Sequence, residues 1–299
     1  MTDIPCIETI GLTKTYGDIR ALDGLDLVVP SGSICGFVGR NGAGKTTAIK
    51  ILLGMAHASA GSARLFGLPV DREEESVAIR ARTGFVAEDK DLYRYMTVDA
   101  LIAFTASFYP RWRRDLQQRY LKAFDLPPDR HVRALSHGTR TKLALLLALC
   151  RGADLLVLDE PTSGLDPATT EEVLQALIGH VAAEGMTVFF SSHQIADVDQ
   201  IADRVAMIDR GRTVLSASLD DLRASYRRIQ LVFDTDAPDA TWRTSGVVNA
   251  RRTGRLLTLL VSDANEALLA EARELRPLSV DVQPVTLKEI FLGAVTGER

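Results

Sequence analysis

One short stretch constrains this chain more than any other, and it consists of Gly39, Arg40, Asn41, Gly42, Ala43, Gly44, Lys45, Thr46 and Thr47. It matches the pattern G-x-x-x-x-G-K-[ST] at every required position. Residues 33–38 before it predict a buried strand, and residues 46–53 predict a helix with one apolar side. A strand that turns into a helix through glycines exposes backbone N–H groups at the positive end of the helix dipole. The stretch therefore predicts a phosphate-binding loop, with Lys45 on the β- and γ-phosphates and the Thr46 hydroxyl on Mg²⁺.

Length and composition narrow the possible classes of protein. A chain of 299 residues is long enough for a main domain and a smaller one. Apolar residues make up 46% and charged residues 25%, which is typical of globular proteins. The net charge of −4 gives no electrostatic reason to expect a nucleic-acid partner. Cys6, Cys35 and Cys150 form no C-x-x-C pair, which favours a reducing cytosol.

The sequence predicts neither a secretion signal nor a membrane-spanning helix. The N-terminus lacks a basic segment followed by an apolar one. The longest apolar run, Leu143 to Cys150, is far shorter than the ~20 residues that a membrane helix needs. If the protein works at a membrane, we expect another chain to span it.

Acidic side chains follow two predicted strands. The continuous apolar run 155–158 is typical of a strand buried on both faces, and it ends in Asp159 and Glu160. Beside a phosphate loop, such an Asp can hold Mg²⁺ through water, and the next acid can orient or deprotonate an attacking water. Glu88 ends the predicted strand 83–87, where a carboxylate is well placed to face a ligand.

Three other residues have two interpretations each on their chemistry alone. His193 closes the predicted strand 186–190, so it is either a structural histidine or a catalytic one at a strand's carboxyl end. Ser136, with Gly138, begins a strongly apolar helix and either binds a phosphate or caps the helix. Tyr16 either lies against a nucleotide base or packs at a strand edge, and its chemistry alone favours packing.

The rest of the chain predicts a helical insert and a small C-terminal part. Residues 97–124 have helical periodicity with a break at Pro110. Beyond Asp221 the pattern changes to short strands at 229–233, 247–248 and 256–261 and helices at 266–275 and 287–292. We find no chemical motif in that part and interpret it as a small α/β appendage.

Taken together, these stretches resemble the ATP-binding cassette family, the nucleotide-binding subunits of ABC transporters. The likeness covers residues 1 to about 220. The matching elements, in chain order, are the phosphate loop Gly39–Thr47, Ser136–Gly138 in place of the signature Leu-Ser-Gly-Gly-Gln, the Walker B strand 155–160, the D-loop Ser163–Asp166 and the switch histidine His193.

The resemblance implies an α/β fold, namely a P-loop NTPase cassette with an antiparallel β subdomain and a helical subdomain. The cassette would span residues 1–220, with the helical insert at about 88–150 and the C-terminal α/β appendage at 221–299. It implies catalytic roles for Lys45, Glu160 and His193. It implies Mg²⁺ ligation by Thr46, Glu88 and Asp159. It implies ATP contacts by Tyr16, which would stack on adenine, and by Gly39, Arg40, Asn41, Gly42, Ala43, Gly44, Lys45, Thr46, Thr47, Ser136, Gly138 and Asp166.

The resemblance also implies partners. Two cassettes would bind head to tail, as a homodimer or with a paralogous cassette, so that Ser136 of one chain caps the ATP of the other. A separate transmembrane permease would hold the cytoplasmic chain at the inner face of the cell membrane, and no nucleic acid is expected. The C-terminal tail of about 80 residues is similar to those of bacterial ABC-2 type exporters of drugs, antibiotics or similar small molecules.

Two departures from the family pattern bear on mechanism. His137 and Thr139 stand where the family usually has Gly and Gln, although Ser136 and the second glycine are kept. Glu88 stands where the family has a glutamine. A carboxylate there can coordinate Mg²⁺ but cannot donate a hydrogen bond.

A soluble, non-transport cassette acting on the ribosome or in DNA repair is the alternative function. Ribosome-associated members usually carry two cassettes, and repair members insert a long coiled coil between phosphate loop and signature. This chain has one cassette and only about 90 intervening residues without sustained heptads, so the sequence disfavours both. A nucleotide switch without hydrolysis is difficult to reconcile with Glu160.

Overall fold

The computed structural model describes residues 4–296. The chain forms two compact units, Met1–Ser216 and Ala217–Arg299, whereas the sequence analysis placed a division at about residue 220.

The secondary-structure elements are numbered in chain order. The strands are β1 (Ile7–Tyr16), β2 (Ile19–Val29), β3 (Ile34–Gly39), β4 (Ala60–Leu65), β5 (Leu68–Pro69), β6 (Thr83–Val86), β7 (Leu155–Leu158), β8 (Thr187–Ser192), β9 (Arg204–Asp209), β10 (Arg212–Ser218), β11 (Arg227–Val232), β12 (Val247–Thr253), β13 (Leu256–Val261) and β14 (Ser279–Pro284). The helices are α1 (Lys45–Leu52), α2 (Glu73–Arg82), α3 (Val98–Ala106), α4 (Arg114–Ala123), α5 (His137–Leu149), α6 (Pro167–Glu184), α7 (Ile195–Ile201), α8 (Leu219–Ser225), α9 (Glu266–Glu274) and α10 (Leu287–Thr296).

A six-stranded sheet in the order β10-β9-β3-β8-β7-β6 forms the centre of the first unit. Strand β3 pairs in parallel with β8 and β9, and β7 pairs in parallel with β8 and β6. Every residue of β3, β7 and β8 is buried, as expected for parallel strands covered on both faces. The segments that follow β3, β6, β7 and β8 therefore emerge at one edge of the sheet, where open α/β sheets bind their ligands.

A second sheet, in the order β2-β1-β4-β5, is antiparallel and shares a core with the first. Its central strand pairs Ile7 with Val29 on one side and with Leu65 on the other. Side chains from β1, β2 and α1 join Phe37 and Phe189 of the parallel strands in one buried apolar cluster. This packing holds α1, and with it the preceding loop, against both sheets.

The helical insert contains α3, α4, a 3₁₀ turn at Val132–Ala134 and α5. The predicted helical segment 97–124 is two helices, and Pro110 lies between them. Helix α5 buries Leu143 and Leu146 completely. Among residues 4–296, no helix has the length and hydropathy required to cross a membrane.

The second unit has a four-stranded antiparallel sheet in the order β12-β13-β11-β14. Ile229, Leu257 and Leu259 form its core with Leu268 of α9. Strand β14 was not predicted from the sequence, since both of its faces are partly exposed and its apolar pattern is weak. Helix α2 was missed for a similar reason, because Ile79 is its one buried residue. Strand β4 was not predicted from the sequence either.

Candidate nucleotide-binding and catalytic site

The phosphate loop turns from β3 into α1 through Gly44. Gly44 has φ 110° and precedes the first residue of α1, Lys45. A Cβ on Gly44 would lie 2.5 Å from the carbonyl oxygen of Ala21, so only glycine fits both this conformation and this close approach. The loop is thus held against β2 with its backbone wrapped around the start of the helix.

A cavity of about 600 Å³ lies against this loop. Residues 41–47 form one wall, and Glu88, Glu160, Ser163 and His193 contribute from the segments that follow β6, β7 and β8. The remaining lining residues, Ile19, Arg20 and Ala21, lie at the start of β2. The structure therefore brings together, around one cavity, most of the side chains that the sequence placed at strand ends.

Lys45, Glu160 and His193 form a continuous polar chain in this cavity. Lys45 Nζ lies 3.1 Å from Glu160 Oε1 and donates to the carbonyl oxygen of Gly39 at 2.8 Å. The other Glu160 oxygen, Oε2, lies 2.7 Å from His193 Nδ1. Lys45 and Glu160 are each only 6% exposed. Because water is largely excluded, the two opposite charges stabilise each other strongly, and an entering polyphosphate would offer Lys45 a second anion.

The backbone at Glu160 is held by its neighbours. Glu160 has φ 48°, a conformation that costs a non-glycine residue on the order of 1–3 kcal/mol. Its N–H donates to Ser191 Oγ at 2.9 Å, and Ser191 Oγ donates to Asp159 Oδ1 at 2.6 Å. These buried bonds hold the backbone at Glu160 in this conformation.

Of the three residues assigned to Mg²⁺ from the sequence, two line the cavity and the third, Asp159, is buried beside it. Thr46 and Glu88 line the cavity. The Asp159 carboxylate is 3% exposed and accepts from Ser191. Across residues 4–296 no three His, Cys, Asp or Glu side chains are grouped to hold a metal by themselves. This donor set fits Mg²⁺, which proteins usually bind through one or two carboxylates together with water and phosphate oxygens.

The rest of the predicted nucleotide contacts divide into two groups. Gly39 and Arg40 contribute carbonyl oxygens to Lys45 Nζ, at 2.8 and 3.5 Å. Tyr16 ends β1, is 47% exposed and lies beneath the Lys14 ammonium at 4.7 Å. It is not among the lining residues of the cavity, whereas Ile19, its cross-strand partner, is.

Ser136, Gly138 and Asp166 lie outside the cavity. Ser136 caps α5, since its Oγ accepts from Thr139 N at 3.1 Å. Asp166 caps α6, and its pKa is lowered because the hydroxyl and N–H of Thr169 donate to it. Ser136 therefore does form the helix cap that was one of its two interpretations, and this leaves the phosphate contact from a second chain as a prediction.

Sequence reasoning missed two groups near the site. The Nζ of Lys90 is buried without a hydrogen-bond partner among residues 4–296, and burial lowers its pKa against the opposing effect of nearby carboxylates, Glu88 first among them. Thr162 Oγ1 donates to the buried Asp197 at 2.5 Å, which ties the residue just before the D-loop to α7. Burial raises the pKa of Asp197. None of Lys90, Thr162 and Asp197 belongs to a motif identified in the sequence, so no sequence signal could have identified them.

Comparisons with known proteins agree with this geometry. Residues 22–163 match a family model described as ABC transporter. Residues 129–198 also match a model described as AAA domain, putative AbiEii toxin, Type IV TA system.

Two curated relatives align along almost the whole chain. The ABC transporter ATP-binding protein YtrB of Bacillus subtilis is 27% identical over 98% of this chain and 99% of its own length. The daunorubicin resistance ATP-binding protein DrrA3 of Streptomyces coeruleorubidus is 34% identical over 98% of this chain and 96% of its own length. Among solved structures, CbiO1 of Clostridium perfringens, part of the ABC transporter complex CbiONQ, has a TM-score of 0.65 and 25% identity over 74% of this chain and 91% of its own.

Proposed function

The chain belongs to the ABC transporter family of ATP-hydrolysing, nucleotide-binding subunits, and from this we infer that it powers an exporter whose membrane permease is a separate chain. The single observation that carries the ATP-hydrolysing part of this proposal is the Lys45, Glu160 and His193 chain beside the phosphate loop. The export direction is supported by the relative named for daunorubicin resistance, whose likeness extends through the small C-terminal unit.

In the proposed reaction, the backbone N–H groups of the loop and Lys45 bind the ATP polyphosphate. Glu160 orients and deprotonates the attacking water, in line with the leaving phosphate oxygen. His193 contacts the Glu160 oxygen that Lys45 does not, and it lines the cavity, where it would contact the γ-phosphate. Mg²⁺, which Thr46, Asp159 and Glu88 would hold, supplies charge neutralisation at the phosphate oxygens.

A second cassette completes the proposed site. Ser136 and Gly138 lie at an exposed helix start outside the chain's own cavity, so they are available to another copy's ATP. Since one chain carries both the phosphate loop and the signature segment, a homodimer suffices, although a paralogous partner satisfies the same geometry. Loss of the γ-phosphate would remove the charge that bridges the two chains, and the dimer would open.

We assign the permease contact to a groove of about 710 Å³ between α2, the edge strand β6 and the helical insert. Met55, Val77 and Phe108 line it and are 59%, 66% and 63% exposed, a large apolar exposure for a surface that faces only water. Its charged lining residues are Arg80, Arg111 and Arg151, with no carboxylate among them.

Arg151 indicates the chemistry of the partner segment. Its guanidinium lies 4.0 Å from the Tyr109 ring centre and donates from Nη2 to the Arg80 carbonyl oxygen at 3.2 Å. Its buried Nε has no acceptor among the described residues, 4–296. Arg111 already pairs with Asp154 at 3.4 Å, which leaves Arg80 and Arg151 as the groove's charges for a partner. A permease segment with an apolar face and at least one carboxylate would complement both the apolar wall and this positive charge.

The chain purified from its native membranes in mild detergent tests this function. A co-purifying permease is expected at the inner face of the membrane, whereas ribosomes or DNA-repair proteins in its place would support the alternative function. Arg80→Glu, in the groove, should reduce permease recovery severalfold. Arg64→Glu, on β4 and outside the groove, is the matched control and should not. Equal recovery with both variants would exclude this groove as the contact.

A further inference from the structure

We propose that His137 is a positioning residue that couples the two ATP sites of the dimer by tying the signature segment to the D-loop within each chain. This inference rests on the proposed head-to-tail dimer. His137 is one of the departures in the signature segment noted in the sequence analysis.

The imidazole of His137 makes a defined contact with the D-loop. Its Nε2 lies 3.1 Å from the carbonyl oxygen of Ser163. Because a carbonyl oxygen can only accept, Nε2 carries the proton and donates. Gly164, at φ 71°, lies beside the ring, and a Cβ there would be in ordinary van der Waals contact with Nε2 at 3.5 Å.

A second contact fixes the same two segments next to the first. Gly138 packs on the start of α6, where a Cβ on Gly138 would lie 3.0 Å from Thr169 Cγ2. Thr169 is itself bound by Asp166 through its N–H and its hydroxyl. Helix α5, which begins with the signature segment, therefore contacts both the D-loop, at Ser163, and the start of α6, at Thr169. A displacement of the D-loop is thus passed on to the start of α5.

The two tied segments serve different ATP sites. Ser163 lines the chain's own phosphate cavity, next to Glu160 and His193. Ser136, adjacent to His137, lies outside that cavity and would cap the partner's ATP. When ATP enters or phosphate leaves, Ser163 is displaced. The His137 hydrogen bond passes this displacement to Ser136, which would contact the ATP bound to the partner chain. Occupancy of one site thus changes the affinity and the turnover of the other.

Phe and Gln variants of His137 separate this role from a general packing role. His137→Phe keeps an aromatic ring but has no N–H to donate, whereas His137→Gln keeps a donor of similar reach. Lys142→Met is the matched control, because Lys142 joins α5 to α6 through Glu172 at 2.6 Å without contacting the D-loop.

The experiment measures ATPase rate against ATP concentration for each full-length protein, with ATP-dependent dimerisation and thermal stability followed in parallel. For His137→Phe we expect turnover to fall about three- to tenfold, as for a lost hydrogen bond, and the Hill coefficient to approach one. ATP binding to the monomer should be unchanged, and His137→Gln should restore most of the cooperativity. Lys142→Met should keep wild-type cooperativity.

The outcomes distinguish this inference from the proposed function. Wild-type protein that hydrolyses ATP without dimerising would overturn both. Wild-type protein that dimerises on ATP, together with a His137→Phe variant of unchanged turnover and cooperativity, would overturn the inference alone. Equal loss of cooperativity in Lys142→Met would also overturn it, because any loosening of α5 against α6 would then explain the effect.

Discussion

Glu160→Gln tests the centre of the mechanism, because it removes one charge and almost no volume. In the structure Glu160 Oε1 lies 3.1 Å from Lys45 Nζ, and both residues are 6% exposed. The amide keeps the size of the side chain and an oxygen that can accept from Lys45. What it loses is the negative charge, and with it the ability to take a proton from water.

The substitution should lower turnover and raise the affinity for ATP. Turnover should fall by about 10²–10⁴, the usual contribution of a general base. ATP binding should tighten, because Lys45 loses a competing anion in the nucleotide-free protein and keeps the phosphates in the complex. A charge-assisted hydrogen bond contributes about 1.5–3 kcal/mol, so the affinity gain should be about ten- to hundredfold.

The contact between Lys45 and Glu160 also predicts how stable Glu160→Gln is without nucleotide. Lys45 keeps its donation to Gly39 but loses its buried counter-charge. The free energy of unfolding should fall by about 1–3 kcal/mol, which corresponds to a decrease in Tm of several degrees. Saturating ATP should reverse that decrease, because ligand binding to the folded state stabilises it.

Turnover is measured as phosphate release in the presence of Mg²⁺. ATP affinity and Tm are measured in EDTA, so that metal binding does not contribute to the affinity. Glu88→Gln is the matched control, since Glu88 lines the same cavity and carries the same charge, but it makes no ion pair with Lys45. In EDTA it should tighten ATP binding much less than Glu160→Gln. Wild-type turnover in Glu160→Gln would remove Glu160 from its catalytic role. An unchanged affinity in EDTA would show that the Lys45 pair does not compete with ATP.

Three further substitutions test other parts of the structure. Lys45→Ala should abolish ATP binding in a fluorescent-nucleotide titration, and retained affinity would contradict the phosphate-cradle assignment. Burial raises the pKa of Asp197 above that of the unfolded chain, so the resulting stabilisation is present at acid pH and is lost as pH rises through the folded pKa. Asp197→Asn keeps an acceptor for Thr162, and its Tm relative to wild type should rise as the pH increases from the acid range to neutrality. A constant difference would argue against a buried charge. Glu271 has its pKa lowered to about 2, chiefly by the Arg243 backbone N–H at 2.6 Å, so its stabilisation is present above the unfolded pKa and is lost as pH falls towards 2. Calorimetry should therefore find Glu271→Gln less stable than wild type at neutral pH, with the gap closing in acid, and a gap that persists in acid would show that the carboxylate charge is not its source.

The sequence by itself determined the chemistry and its approximate place. The phosphate loop, the Asp159–Glu160 pair and His193 are each recognisable because they follow short apolar strands, and a local pattern of strand and turn depends only on neighbouring residues. The sequence also placed Glu88, Glu160 and His193 at the carboxyl ends of strands, which parallel strands align at one edge of a sheet. Strands with a clear apolar pattern, such as β7 and β8, were predicted at the correct place.

Only the tertiary structure decided which side chains touch. The Lys45 contact with Glu160, the Thr162 bond to Asp197 and the His137 bond to the D-loop join residues far apart in the chain. No pattern of spacing encodes such contacts, because each depends on how helices and strands pack in three dimensions. Helix α2 and strand β14 were missed because they bury too little apolar surface to give a recognisable apolar pattern in the sequence. Neighbouring elements hold them in place, as β11 does for β14.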